Sequence, residues 1–249
     1  MNSPRPMPPL ALLAGGLATR LHPMTEKVPK AMLEVAGEPF IAHQLRLVKR
    51  NGLERVVICA GYLGEQIQDF VRDGVRFGVE VTYSFDFPAL LGTGGALKRA
   101  MGVLNEPFFV MYGDSYLDTS FHAVFEAFES SSKLGLMTVF RNDNRWDASN
   151  VEFENGVIRC YDKRTRTPAM SHIDYGLSIL RAAAFEPWPS AEPFDLAEVY
   201  QHLVLGGELA GYEVKQRFYE IGSSEGLAET ESMLREENSD DKRLHREIP

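Results

Sequence analysis

The chain has 249 residues, with 26 Lys and Arg against 35 Asp and Glu, for a net charge of −9. That length suits one large α/β domain, and the negative balance argues against general affinity for nucleic acid or an anionic membrane surface. A few cations focused in a cleft can still hold an anionic small molecule. Cys59 and Cys160 are too few for a disulfide framework or a cysteine zinc site, and they read as buried thiols of a reducing cytosol. No apolar run approaches the ~20 residues that span a bilayer. The proline-rich opening "MNSPRPMPP" has no apolar core and reads as a loose tail, not a signal peptide. A soluble, cytoplasmic protein is the expectation.

In chain order, "LALLAGG" reads as a buried strand ending in a turn, and "PFIAHQLRLVKRNG" as a helix that starts at Pro39 and stops at a glycine. "RVVICAG" and "VEVTYS" follow as strands, with the helix "GEQIQDFVRDG" between them. "GTGGALKRAMGVL" reads as a loop leading into a helix, and "PFFVMYGDS" as a fourth strand ending in Gly-Asp. That alternation predicts an α/β fold with a doubly wound, mainly parallel, Rossmann-like sheet.

Beyond residue 118, "FHAVFEAFESS" and "LGLMTVF" continue the sheet as helix and strand. "VEFENGVIRCYD" carries Asn155-Gly156 between two β-rich runs, a strong hairpin signal. "HIDYGLSIL" reads as a strand, "DLAEVYQHLVLGG" as a helix, and "AGYEVKQRFYEIG" as a closing hairpin. From Ser224 on, the charged end reads as a helix fraying into solvent. Phe121, Phe125 and Phe128 follow helical spacing and are expected in the core, while the six histidines show no metal spacing.

The chemistry concentrates in "LLAGGLATRLHPMTEKVPKAM". Gly15-Gly16 after a strand lets backbone N–H groups approach a phosphate. Arg20 adds a planar fork for phosphate oxygens and Lys30 a compact charge. The segment is neither a Walker A loop nor G-x-G-x-x-G, so a nicotinamide-dependent oxidoreductase loses its main support. In "VMYGDS", Asp114 ends an apolar strand, at the sheet edge where α/β proteins bind ligands.

"LAGGLATRLHPMTEKVPKAM" resembles the signature of the sugar-1-phosphate nucleotidyltransferases, G-G-x-G-T-R-L-x-P-x-T followed by P-K-P/A, and the resemblance runs from about residue 10 to about residue 231. Among subfamilies the chain is most similar to the heptose-1-phosphate guanylyltransferases, and it also resembles the uridylyltransferases of N-acetylmuramic acid 1-phosphate. The resemblance implies a Mg²⁺-dependent reaction of an NTP with a sugar 1-phosphate, giving a nucleotide sugar and pyrophosphate. It implies a nucleotide-binding lobe over about 10–118, a smaller β-rich sugar-binding lobe over about 119–222, and a C-terminal helix and tail over about 223–249, all in one domain. No hexapeptide repeat for an added acyltransferase domain is visible.

By the same resemblance, Arg20 holds the leaving pyrophosphate, Lys30 the α-phosphate, and Asp114 with Glu220 the metal. Leu13, Gly15, Gly16 and Thr19 line the phosphates. Asp86, Gly92, Thr93 and Gly94 read the base, with a carboxylate at 86 suited to guanine N1–H and N2–H. Lys163 grips the sugar phosphate, Asp162 contacts sugar hydroxyls, and Asp174, Tyr175 and Gly176 build the sugar pocket. Strand alternation points Asp174 and Tyr175 to opposite faces, so at most one is expected there. The chain departs from the family pattern at Ala18, where glycine is usual, at Glu220, where aspartate is usual, and at Arg164, where proline is usual. The first two departures motivate a rival reading, a sensor that binds nucleotide on the same fold without turnover. On frequency alone, a homo-oligomer is expected.

Overall fold

The protein is seen in a computed structural model that describes residues 6–86, 89–104 and 107–244. Its first half runs β1 (Leu10–Ala14), β2 (Glu34–Val35), β3 (Glu38–Pro39), α1 (Phe40–Arg50), β4 (Arg55–Ala60), α2 (Gly64–Val71), β5 (Glu80–Phe85), α3 (Gly92–Ala100), β6 (Phe108–Tyr112) and β7 (Ser115–Tyr116). Its second half runs α4 (Phe121–Ser131), β8 (Gly135–Arg141), β9 (Val151–Glu154), β10 (Val157–Tyr161), β11 (His172–Leu180), α5 (Leu196–Leu205), β12 (Leu209–Val214), β13 (Tyr219–Glu220) and α6 (Ser224–Leu244).

Local chemistry sets many of these boundaries. Pro39 precedes α1 with its fixed φ, and the helix closes on Lys49 and Arg50 before Asn51 and Gly52, the latter at φ 78°. Asp195 and Glu198 form a reciprocal capping box at the start of α5. Asn155 and Gly156 both take positive φ, 50° and 81°, which turns β9 into β10 as the two-residue signal predicts.

The nine-stranded sheet has the order β5-β4-β1-β6-β11-β8-β12-β10-β9. β5, β4, β1 and β6 are parallel, β11 enters antiparallel between β6 and β8, and β12 lies parallel to β8. Period-two alternation sends Leu10 and Leu12 of β1 into one core and Ala11 into the other. Leu45 of α1, Ile67 of α2 and Phe121, Phe125 and Phe128 of α4 cover the first face, while Leu97 of α3 and Leu196, Val199 and Leu203 of α5 cover the second. The molecule is therefore a doubly wound α/β fold, and the antiparallel β11 joins its two halves in one sheet.

Two expectations are corrected. Residues 210–222 do not form a hairpin with themselves. β12 pairs with β8, and β13 crosses to β7, placing Glu220 opposite Ser115. Lys215, Gln216 and Arg217 lie between the two strands, and the β-rich spelling of both ends does not disclose that their partners differ. The C-terminal helix also docks. Leu234 is buried with Val35, Phe40, Leu47, Tyr116 and Ile221 in a third, smaller cluster. A mean composition dominated by charge hides that single apolar stripe.

Candidate active site

The carboxyl ends of β1, β4 and β6 open onto a cavity of about 510 Å³. Its wall includes Leu13, Gly15, Gly16, Ala18 and Thr19 from the glycine turn, Lys30, and Asp114. Cys59, Asp86, Gly92, Thr93 and Tyr112 complete the side toward α3. Nine residues that the resemblance assigns to nucleotide, base or metal are thus brought together from separate stretches of the chain: Leu13, Gly15, Gly16, Thr19, Lys30, Asp86, Gly92, Thr93 and Asp114. Arg20 is exposed, one residue beyond the lining segment.

Glycine is needed in this turn for room. A Cβ on Gly15 would lie 3.1 Å from the Gly61 nitrogen, where β1 and β4 converge. Ala18 takes φ 50°, ψ 40°, so the chain keeps the left-handed conformation that glycine adopts freely and carries its strain. Two donors fix the Ala18 carbonyl there, Leu21 N at 3.1 Å and Thr25 Oγ1 at 2.8 Å.

Lys30 and Asp114 meet across the cavity floor, with Nζ 3.0 Å from Oδ2, and Ser115 Oγ donates to Asp114 Oδ1 at 3.3 Å. Gly113 makes the bend possible, because a Cβ there would sit 2.6 Å from the Leu13 carbonyl. That carbonyl accepts from Gly113 N at 2.9 Å, and the Asp114 carbonyl accepts from Ile221 N at 2.9 Å. Glu220 stands opposite Ser115 where β13 pairs with β7, but its carboxylate turns to the residues that lead into α6. There it accepts from Gly222 N and from Ser223 Oγ, the latter at 2.8 Å, and packs on Gly226.

A divalent cation with oxygen preference needs one or two carboxylates and keeps several waters. Asp114 fits that demand, since its half-exposed carboxylate lines the cavity and already holds a cation, the Lys30 ammonium. The Glu220 carboxylate is already bonded by Gly222 N and Ser223 Oγ, with lone pairs remaining on both oxygens. Among the described residues no cluster of three or more His, Cys, Asp or Glu is poised for a metal.

On the α3 side, Asp86 is 7% exposed. Its Oδ2 accepts from Leu91 N at 2.9 Å, while Oδ1 is buried without a partner among the described residues. Cys59 lies nearby, its thiol pushed up to about 12 by burial and by the charge of Asp86. The glycines of "GTGG" do different work from the one expected. The Gly94 and Gly95 N–H groups donate to the Phe194 carbonyl at 3.0 and 3.3 Å, and a Cβ on Gly94 would strike the Phe194 ring. Those two donors are spent on the segment before α5, while Gly92 and Thr93 line the cavity. Thr93 shares in this junction: its hydroxyl donates to Asp195 Oδ1 at 3.0 Å and accepts from Leu196 N at 2.9 Å.

Beyond Tyr112 lies a second group of polar side chains. Lys163 Nζ is 3.5 Å from the Tyr112 hydroxyl and stands over the Tyr112 and Tyr161 rings at 5.2 and 6.0 Å. Asp174 accepts from Gly176 N at 3.0 Å and Tyr161 OH at 3.3 Å. Burial pushes the Asp174 carboxyl above its usual range, and the Lys163 charge opposes that shift. A register irregularity in β11 follows Asp174, with Gly176 at φ 96°, where a Cβ would lie 3.3 Å from Ser115 Oγ. Tyr175 points the other way, into the core, 1% exposed and edge-on to Phe218. Of this pair, Asp174 alone lies on the Lys163 side. Asp162 is engaged locally: its Oδ1 accepts from Thr165 N and Arg164 N at 2.9 and 2.7 Å, and those bonds hold its carboxyl below the usual range.

The motif reading passed over Tyr112, Tyr161, Asp195 and Gln44. Tyr112 was legible as the residue before Gly113-Asp114. The other three are placed by pairings that span 66 or more residues or by the β11 irregularity, which no local pattern announces.

The family model described as nucleotidyl transferase matches residues 11–167. A relative from Neisseria meningitidis serogroup B, an N-acetylmuramate α-1-phosphate uridylyltransferase, is 38% identical over 120 residues, which is 48% of this chain and 52% of that protein. A D-glycero-α-D-manno-heptose 1-phosphate guanylyltransferase from Campylobacter jejuni is 27% identical over 191 residues, covering 76% of this chain and 83% of the relative. The chain spans about half the length of several curated relatives it matches. HddC from Yersinia pseudotuberculosis, solved in complex with GMP-PN, has the same fold, with a TM-score of 0.77 at 23% identity over 92% of this chain and 100% of that one. With the family model covering more than half of its length, the chain belongs to the nucleotidyl transferase family.

Proposed function

We propose that this protein transfers a nucleotidyl group from an NTP to a sugar 1-phosphate, releasing pyrophosphate. The observation that carries the reading is the Lys30–Asp114 pair set opposite a glycine turn in one cavity. In-line attack by the sugar phosphate oxygen on the α-phosphorus asks the protein mainly for alignment and charge neutralisation. Lys30 neutralises the α-phosphate, Arg20 holds the departing pyrophosphate, and the Gly15–Thr19 backbone lines the β and γ groups. Lys163 holds the sugar phosphate beside Tyr112, and Asp174 receives sugar hydroxyls. Mg²⁺, when held by Asp114 with Glu220, supplies charge stabilisation to the phosphate oxygens.

GTP is the proposed donor and heptose 1-phosphate the proposed acceptor. Asp86 Oδ1, which has no partner among the described residues, calls for a base that donates, as guanine does through N1–H and N2–H. Uracil also donates through N3–H, and the 38% identity to a uridylyltransferase favours UTP with an N-acetylated sugar as the second reading.

Pyrophosphate release is to be measured for GTP, UTP, dTTP, CTP and ATP against heptose, mannose, glucose and N-acetylmuramic acid 1-phosphates. A signal with GTP and heptose 1-phosphate is expected, and a signal confined to UTP establishes the second reading. Nucleotide binding with no release from any pair supports the sensor. In the active pair, Lys30→Ala is expected to lower kcat on the order of 10²–10³-fold. Full activity in that variant removes Lys30 from the chemistry.

A further inference from the structure

We infer that Gln44, a buried side chain from α1, is the positioning residue that sets the Asp114 carboxylate. The inference rests on the reading of Asp114 as the metal carboxylate. Gln44 is completely buried, and its single amide nitrogen donates twice, to the Tyr112 carbonyl at 3.0 Å and to the Ser115 carbonyl at 2.8 Å. Those two carbonyls flank the Gly113-Asp114 bend on either side. Both partners are acceptors, so the NH₂ end must face them whichever way an amide is first assigned.

Lys30 Nζ and Ser115 Oγ bond the Asp114 carboxylate itself, whereas the backbone of the bend is otherwise anchored by main chain, Gly113 N to the Leu13 carbonyl and Ile221 N to the Asp114 carbonyl. Gln44 is therefore the side-chain clamp on a turn otherwise fixed by main chain. Its placement is costly in one respect. Oε1 is buried without a partner among the described residues, and its neighbours on α1, Ile41, Leu45 and Val48, are apolar core. Packing alone would be met by leucine or methionine at this position. What an apolar side chain lacks is the pair of donors, which hold Tyr112 and Ser115 at a fixed separation and so fix the direction in which Asp114 leaves the strand. Groups that orient a metal ligand from outside its coordination shell commonly change affinity by 10–100-fold when removed.

The test is Mn²⁺ binding by electron paramagnetic resonance on the whole protein, with Gln44→Met and Gln44→Glu beside wild type and Asp114→Asn. Circular dichroism melts verify that each variant is folded. Gln44→Met keeps the volume and removes both donors, and its Mn²⁺ dissociation constant is expected to rise about 10-fold or more. Nucleotide binding in the presence of EDTA is expected to stay unchanged, which a general loss of structure would not allow. Gln44→Glu keeps the shape and donates only when protonated. It is expected to bind Mn²⁺ weakly at pH 8 and to regain part of the loss, relative to wild type at equal pH, as the pH is lowered. Wild-type Mn²⁺ affinity in both folded Gln44 variants overturns the inference and leaves the Asp114 reading intact. Equal Mn²⁺ binding by wild type and Asp114→Asn overturns the reading on which it rests, and the inference with it.

Discussion

At position 18 the chain holds an alanine at φ 50° where the family signature has glycine. A left-handed non-glycine residue carries roughly 1–2 kcal/mol. Glycine recovers that strain but loses about 0.5–1 kcal/mol more backbone entropy on folding. The strain is the larger of the two, so Ala18→Gly is expected to stabilise the protein by up to about 1 kcal/mol and to raise the thermal midpoint by about 1–4 °C. A lower midpoint would show that the Ala18 methyl makes contacts worth more than the strain. Residue identities in this turn were legible in the sequence because each answers a local demand: Gly15 for space, Gly113 for a bend against Leu13, Asn155-Gly156 for positive φ. Side-chain direction was less legible. Glu220, expected beside Asp114 as a metal ligand, directs its carboxylate to Gly222 N and Ser223 Oγ ahead of α6, while Tyr175 is a core residue. Neither direction can be read without knowing where α6 starts or where β11 slips register.

Among the elements, α3 and α5 show how one motif serves two ends. "GTGG" begins a helix, as its position predicts, but its glycines admit Phe194 and its threonine ties Asp195 and Leu196. Thr93→Val removes both side-chain bonds while keeping the shape. At about 0.5–1.5 kcal/mol for each net hydrogen bond, the expected loss is roughly 1–3 kcal/mol in a urea melt, with Thr93→Ser restoring most of it. An unchanged midpoint in the valine variant would mean that the Gly94 and Gly95 bonds to the Phe194 carbonyl carry the junction alone. Helix and strand periods made nearly every element visible in the sequence, to within a few residues. Pairing across long separations was not visible, as β13 shows by leaving β12 for β7. A strand's spelling tells which face is apolar and says nothing about which neighbour it finds.

Taken whole, the molecule is fastened at its back by α6. Leu234 is 2% exposed in the small cluster that covers Tyr116 and Ile221, and Thr230 Oγ1 donates to the Glu220 carbonyl at 2.9 Å. Truncating such a side chain leaves a cavity and commonly costs about 2–5 kcal/mol. Leu234→Ala is expected to fall in that range in urea, and a change below about 0.5 kcal/mol would place α6 outside the cooperative unit. No helix of the described residues is long and apolar enough to cross a membrane.

The antiparallel β11 has a consequence for how such a molecule diversifies. It hydrogen-bonds to β6 over Phe108–Met111 and to β8 on its other side, so the floor beneath both half-sites is a single continuous surface. Continuous strand pairing through β11 therefore ties the two halves of the sheet directly to each other. Adaptation is thereby confined to the rim. On the proposed assignment of residues 15–29 to the nucleotide and 162–171 to the sugar phosphate, the two loops can be rewritten independently, as two dialects spoken over one grammar.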